Sequence, residues 1–350
     1  MKHLTPWACC LALATLCACG NGKEREVKPS SMGKPFEVFA SMPETLWKGE
    51  VGDTLRAILQ DEVPMLNQIE PLVDLYYIVP GAMTGITARH RNILTVEVAS
   101  AAYSEPAMNA EYDLTSRPQM VVRITGPSDS AVVAYMDQNR EALQRVFEIT
   151  ERDRFVALAR NSSSESVNRT IKEMFGIDIA LPRGYKIGKT GKDYIWITYE
   201  MPIASQGFMI YTYPFDGRND FSLESLTARR NEFVKNIPGP SGQSYMTTYT
   251  GMGPERTSFR IDGRLWFELR GFWELGGGDY MGGPFVNYTT IDATNRRLVA
   301  IDGYVYSPKQ GKRNYLRQIE SEVFTIKLPD DTTSTLHLDA DTIPAVPVTR

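Results

Sequence analysis

Residues 257–306 read TSFRIDGRLWFELRGFWELGGGDYMGGPFVNYTTIDATNRRLVAIDGYVY, and this stretch decides the fold. Asp262-Gly263 separates two β-type runs, Thr257–Ile261 and Leu265–Trp273. An Asp-Gly pair between such runs is a strong hairpin signal, because a tight turn needs the positive φ that glycine takes freely. A second hairpin joins Phe285–Ile291 to Leu298–Tyr306 around Asp292–Arg297. Strands linked by short turns predict an antiparallel sheet.

Helices frame this sheet. Ser222 caps a run with Leu223, Leu226, Phe233 and Ile237 on one face, stopped by Pro238-Gly239-Pro240. After Ser307-Pro308, the residues Leu316, Ile319, Val323 and Ile326 align at helical spacing. Upstream, Tyr185–Ile187, Tyr194–Glu200 and Phe208–Tyr213 read as further strands. The N-terminal half shows a comparable order. Strands are expected at Glu37–Ala40, Leu72–Val79, Asn92–Val98 and Met120–Thr125, with helices over Glu44–Gln60 and Ala131–Ala159.

The expected class is α+β, in two similar halves, each an antiparallel sheet covered by helices. The expected division is a signal peptide at 1–18, a tether at 19–35 and an N-terminal domain at 36–160. A connector at 161–184, a C-terminal domain at 185–328 and a mobile tail at 329–350 follow.

The balance of 38 basic against 42 acidic residues in 350 gives a net charge of -4, which offers no footprint for nucleic acid. With 42% hydrophobic and 23% charged residues, the chain is neither disordered nor collagen-like. Trp7–Leu16 is an apolar run of about 10 residues, half of what a bilayer span requires, so it reads as a signal-peptide core. Leu16-Cys17-Ala18-Cys19 follows it. This resembles the bacterial lipobox, which implies cleavage before Cys19 and lipidation of that cysteine. The other cysteines, Cys9, Cys10 and Cys17, then leave with the signal, so the mature chain has no thiol chemistry.

Several phrases form a set: Pro29-Ser30-Ser31-Met32-Gly33-Lys34-Pro35, Arg91-Asn92-Ile93, Ile237-Pro238-Gly239-Pro240, Gly271-Phe272-Trp273-Glu274, Met281-Gly282-Gly283-Pro284-Phe285 and Gly303-Tyr304-Val305-Tyr306. With the lipobox and the length, the chain resembles an uncharacterised lipoprotein family of Bacteroidetes, a domain of unknown function of about this size. The resemblance implies an envelope lipoprotein, outer-membrane anchored and either periplasmic or surface-exposed. It implies no activity, cofactor or catalytic residue.

Catalytic patterns are sparse. His90 and His337 cannot form a metal cage by themselves. Gly239-Pro240-Ser241-Gly242 lacks the spacing of a nucleophile elbow. The glycine-rich segment 276–283 has no phosphate-loop lysine and precedes a strand. Its Asp279 and Tyr280 are candidate binding residues at a loop tip, flanked by Trp266 and Phe272 as aromatic platforms. Trp266 and Phe272 share strand parity with Glu268 and Arg270, a face expected to be partly exposed, whereas Leu265, Phe267, Leu269 and Trp273 are expected in the core. Glu268, Glu274, Asp279 and Asp292 supply acids for a carboxylate-pair mechanism if two of them converge. The basic clusters Arg89-His90-Arg91, Arg229-Arg230 and Lys309/Lys312/Arg313/Arg317 read as solvated faces. The reading is a non-enzymatic binding or assembly component of the outer membrane, with no cofactor. Its partners would be the membrane through lipid on Cys19, and an envelope protein or glycan. The alternative is an envelope polysaccharide or peptidoglycan hydrolase.

Overall fold

The computed structural model describes residues 28–261 and 263–329, without the side chains of Arg218 and Asn219. Cys19, the signal segment, His337, Asp262 and the segment 330–350 lie outside the described residues.

The first half runs β1 (Glu37–Ser41), α1 (Glu44–Lys48), α2 (Glu50–Leu59), β2 (Asp74–Ile78), β3 (Asn92–Val98), β4 (Ala107–Tyr112), β5 (Met120–Gly126), α3 (Asp129–Gln138) and α4 (Arg140–Asn161). Its strands lie in the order β2-β1-β3-β5-β4. The pairs β1–β2, β1–β3 and β3–β5 are parallel, and β4–β5 is antiparallel. The antiparallel sheet expected for this half is therefore a mixed one. Its strands are joined by long crossovers, such as α1 and α2 between β1 and β2, and such connections give parallel neighbours. β4, with the sequence AMNAEY, carries almost no β-branched signal and is missed in the sequence. Its pairing with β5 overrides its propensity. The helix expected over 131–159 is broken at Asn139, whose side-chain amide donates to the Tyr135 carbonyl at 2.8 Å. Val38, Leu55, Leu94, Val122 and Phe147 anchor one core between sheet and helices.

The second half begins inside the expected connector, where α5 (Glu165–Phe175) forms a helix capped by Gly176 at φ 70°. Its Val167, Ile171 and Phe175 are buried in the second core. The remaining elements are β6 (Lys186–Thr190), β7 (Tyr194–Glu200), β8 (Ser205–Pro214), α6 (Leu223–Val234), β9 (Tyr245–Thr248), β10 (Glu255–Ile261), β11 (Arg264–Gly276), β12 (Gly282–Asp292), β13 (Arg297–Tyr306) and α7 (Arg313–Val323). The sheet order is β10-β11-β12-β13-β8-β7-β6, with β9 paired to the far end of β11. All of these pairings are antiparallel. The two halves share the α+β layering but not a strand topology.

Both faces of the second sheet are covered along its central strands, while the edge strands β6 and β10 are largely exposed. On β13, Leu298, Ala300 and Tyr304 face the α6 side, while Val299, Ile301 and Val305 face α5 and α7. This is the period-2 alternation of a strand buried on both sides. Gly303 is required by close approach, because a Cβ there would lie 2.2 Å from Ile319 of α7. Trp266, expected on a half-exposed face, is 2% exposed and Phe272 is 9% exposed. The centre of the sheet is a middle layer, so neither parity of β11 faces open water along most of its length, although Leu265, expected in the core, is 37% exposed at the start of the strand.

The basic clusters are likewise largely internal. Arg230 is fully buried against Asp302. Arg91 and Arg154 both pair with the buried Glu151, each at 2.6 Å. Arg313 pairs with Asp74 at 2.7 Å, and the Lys312 and Arg313 amides donate to Glu70, so α7 clamps the β2 edge of the first half. The carboxylate partners of Arg91, Arg230 and Arg313 lie far away in sequence, which is why these residues read locally as solvated charge.

Candidate functional site

The far end of β11 and the loop to β12 meet the first half at an open groove of about 800 Å³. One wall is segment 62–69, between α2 and β2, with Met65, Leu66 and Ile69. The other holds Tyr249, Met252, Phe272, Trp273 and Glu274. Apolar side chains here face water: Ile69 is 80% exposed, Met252 52% and Tyr249 41%. A cleft of this size with exposed aromatic and aliphatic walls is typical of ligand grooves.

Local sequence explains the shape. β11 is long enough to pair with β10 through Arg270 and with β9 from Trp273 onward. The gap between β9 and β10 leaves Tyr249–Pro254 as an outward loop, held by the Tyr249 amide donating to the Phe272 carbonyl at 2.8 Å. Gly283 lets β12 pass close to β13, where a Cβ would sit 2.1 Å from the Val305 carbonyl oxygen. The indole of Trp273 donates to that same oxygen at 3.1 Å, fixing the groove floor.

Of the four candidate binding residues, Phe272 lines this groove. Trp266 does not; it lies in the core beside α7. Tyr280 stands at the tip of the adjoining loop, 99% exposed. Asp279 is structural in its contacts. Its carboxylate accepts from the Ser244 hydroxyl, the Ser241 amide at 3.0 Å and the Ser241 hydroxyl at 2.7 Å. The Ser244 bond, followed by those of Ser241, holds its pKa below the ordinary carboxylate value. Asp279 thus ties the glycine-rich loop to the turn after α6. Asp279→Ala is expected to release that loop. Amide exchange at Ser241 should rise severalfold while β11 and β12 keep their protection, and unchanged exchange at Ser241 would refute the tie.

The carboxylates considered for catalysis do not converge. Glu274 lines the groove, Asp279 holds the loop, and Asp292 is buried against Arg297 and Asn295. Glu268 lies in a separate cleft of about 330 Å³ between α4 and the β10–β12 face, together with Glu148 of α4 and Glu320 of α7. Each of these acids is held by arginine. Arg270 bridges Glu268 at 2.8 Å and Glu320 at 2.6 Å, and Arg317 bridges Glu320 at 3.1 Å and Glu148. Although burial pushes the other way, these cations bring Glu320 down to about 2. A glycosidase acid must instead stay protonated near neutrality. Burial does raise Glu322 to about 7 and also raises Asp302, but both are fully enclosed and line neither cavity.

Sequence reading missed segment 62–69, Tyr249 and Met252. A usable signal existed in YMTTYTGMG at 245–253, where large side chains follow a helix stop but are interrupted by glycine. It also missed Arg145, Glu148 and Arg152, which share one face of α4 and were visible as a spaced set.

No helix among the described residues is long and apolar enough to cross a membrane. No curated protein matches the chain. Among solved structures, the solution structure of cyanobacterial PsbP from Synechocystis sp. PCC 6803 aligns with a TM-score of 0.31 and 12% identity, covering 44% of this chain and 86% of that one. LpqN of Mycobacterium tuberculosis, described as involved in cell envelope biogenesis, aligns with a TM-score of 0.24 and 13% identity, covering 42% and 79%. Both likenesses are too distant to carry an argument about function. The family models are more informative about kinship: residues 31–160 match one domain of unknown function (DUF8532), and residues 164–325 match another (DUF4837). Two domains of unknown function, DUF8532 followed by DUF4837, therefore cover most of the chain between them.

Proposed function

We propose that this protein is a non-enzymatic binding component of a bacterial cell envelope, anchored to the outer membrane by lipid on Cys19, and that its groove receives an envelope glycan. The observation that carries the reading is the groove itself, with Tyr249, Met252 and Ile69 left in water around Phe272. Sugar rings stack on aromatic faces, and Glu62, Asn67 and Glu274 in the same walls supply hydrogen-bonding groups for hydroxyls. The working surface lies closer to Tyr249 than to Trp266.

The reading is tested by retention on purified envelope polysaccharide and on peptidoglycan. Wild type should be retained, and Tyr249→Ala with Met252→Ala should weaken retention by about tenfold or more. Absence of retention for wild type, or equal retention of the double variant, refutes glycan binding at the groove. A stoichiometric protein cross-linked from position 249 would assign the groove to a protein instead. Metabolic labelling with a fatty-acid analogue checks the anchor, since Cys19→Ala should abolish the label.

A further inference from the structure

The cleft beside Glu268 has another property. The arginines that line it outnumber the carboxylates that line it. Glu268, Arg270, Glu320, Arg317 and Glu148 form one alternating chain of ion pairs across the junction of the two halves. The same cleft also holds Arg145, Arg152 and Arg260, giving five guanidinium groups against three carboxylates. Arg145 leans toward Glu141 at 3.6 Å, and Arg260 donates to the Gly263 carbonyl at 2.8 Å. Arg152 is different. Among the described residues its guanidinium makes no hydrogen bond and no ion pair, and it lies 4.4 Å above the ring of Phe324. The Nε of Arg317 is also buried without an acceptor.

The remaining wall is aromatic. Tyr288 meets Phe259 edge-on at 6.0 Å and Phe324 at 6.2 Å. A half-buried arginine facing such a wall keeps its full set of donors while losing part of its water. Ligand oxygens would restore those bonds, and the aromatic trio would take an apolar body.

We propose that this cleft binds a small oxyanion, a carboxylate or a phosphate, carried on an apolar ring, with Arg152 as its charged anchor. The cleft's size admits one such ring and its anionic group. This site is separate from the groove, and it does not depend on what the groove binds.

The test is titration of the full chain with phenyl phosphate, benzoate and phenol, followed by ligand-observed NMR. Phenyl phosphate or benzoate should bind while phenol does not, and the preference between the two anions identifies the oxyanion. Arg152→Gln should weaken binding by about tenfold or more. Because Arg152 makes no direct ion pair and Glu320 keeps Arg270 and Arg317, this variant should fold as wild type, and Arg152→Lys should recover part of the affinity. Arg229→Gln, at a half-buried arginine outside the cleft, should change nothing. Failure of both anions to bind, binding of phenol equal to theirs, or unchanged affinity in Arg152→Gln overturns the assignment.

Discussion

Arg230→Met is expected to lower the unfolding free energy by about 3–5 kcal/mol, as for other buried ion pairs that lose one member. Arg230 and Asp302 have no solvent exposure. The guanidinium donates to Asp302 through Nε at 2.7 Å and Nη2 at 3.2 Å, and to the Thr248 hydroxyl at 2.9 Å. It also lies 3.5 Å above the ring of Phe285. Without it, Asp302 keeps one bond from Asn287, at 3.2 Å, with no solvent exposure. Burial already pushes the Asp302 carboxyl upward against the pull of Arg230. A carboxyl raised in the folded state favours folding below its unfolded pKa and loses that contribution as pH rises through its folded pKa. The deficit of Arg230→Met should therefore be largest at neutral pH and shrink in acid. Adding Asp302→Asn should recover part of it. Denaturant unfolding at two pH values decides the matter, and a single-variant loss below about 1 kcal/mol would show that the pair is replaceable. The same guanidinium joins α6 to β9 and β13, so the variant should also loosen Tyr249 next to β9.

Glu322→Gln should act in the opposite direction, stabilising the protein at alkaline pH by about 3 kcal/mol. Burial raises Glu322 from 4.5 to about 7, while bonds from Gln318 at 2.8 Å and the Tyr185 hydroxyl at 2.7 Å oppose the rise only in part. Folding thus favours the protonated acid. That contribution is complete below pH 4.5 and is lost between there and about 7. The glutamine does not titrate, so the difference between variant and wild type should grow from near zero at pH 4 to its plateau at about pH 8. Glu320, lowered to about 2, acts only on the acid side of this window. His90, lowered by burial, weakens the fold as pH falls below 6.5, but it does so equally in both proteins. A pH-independent difference would mean that Glu322 is ionised in the native state.

The hairpins of the second sheet were legible because their turns and alternation are local. Pairings within 255–306 join residues close in sequence. The parallel pairings of the first half were not legible, since β1 finds β3 across more than fifty residues and nothing in either strand encodes that choice. Glycine roles were half legible. Gly277 and Gly278 take positive φ as the loop demands, whereas Gly283 and Gly303 exist for neighbours that only the tertiary fold supplies. The candidate site divided for the same reason. Tyr280 is exposed on its loop, whereas Trp266 is buried, because parity tells which face a side chain takes and not what covers that face.

The contact between Arg313 and Asp74 spans 239 positions, and this sets a timetable. A growing chain makes the β2 edge early and the arginine almost last. Until α7 arrives, Glu70 and Asp74 lack the amides and guanidinium that hold them in the finished protein. Any product interrupted before Arg313 therefore leaves Glu70 and Asp74 without these partners, so the charge on the earliest part of the chain is neutralised only when nearly all of it has been made.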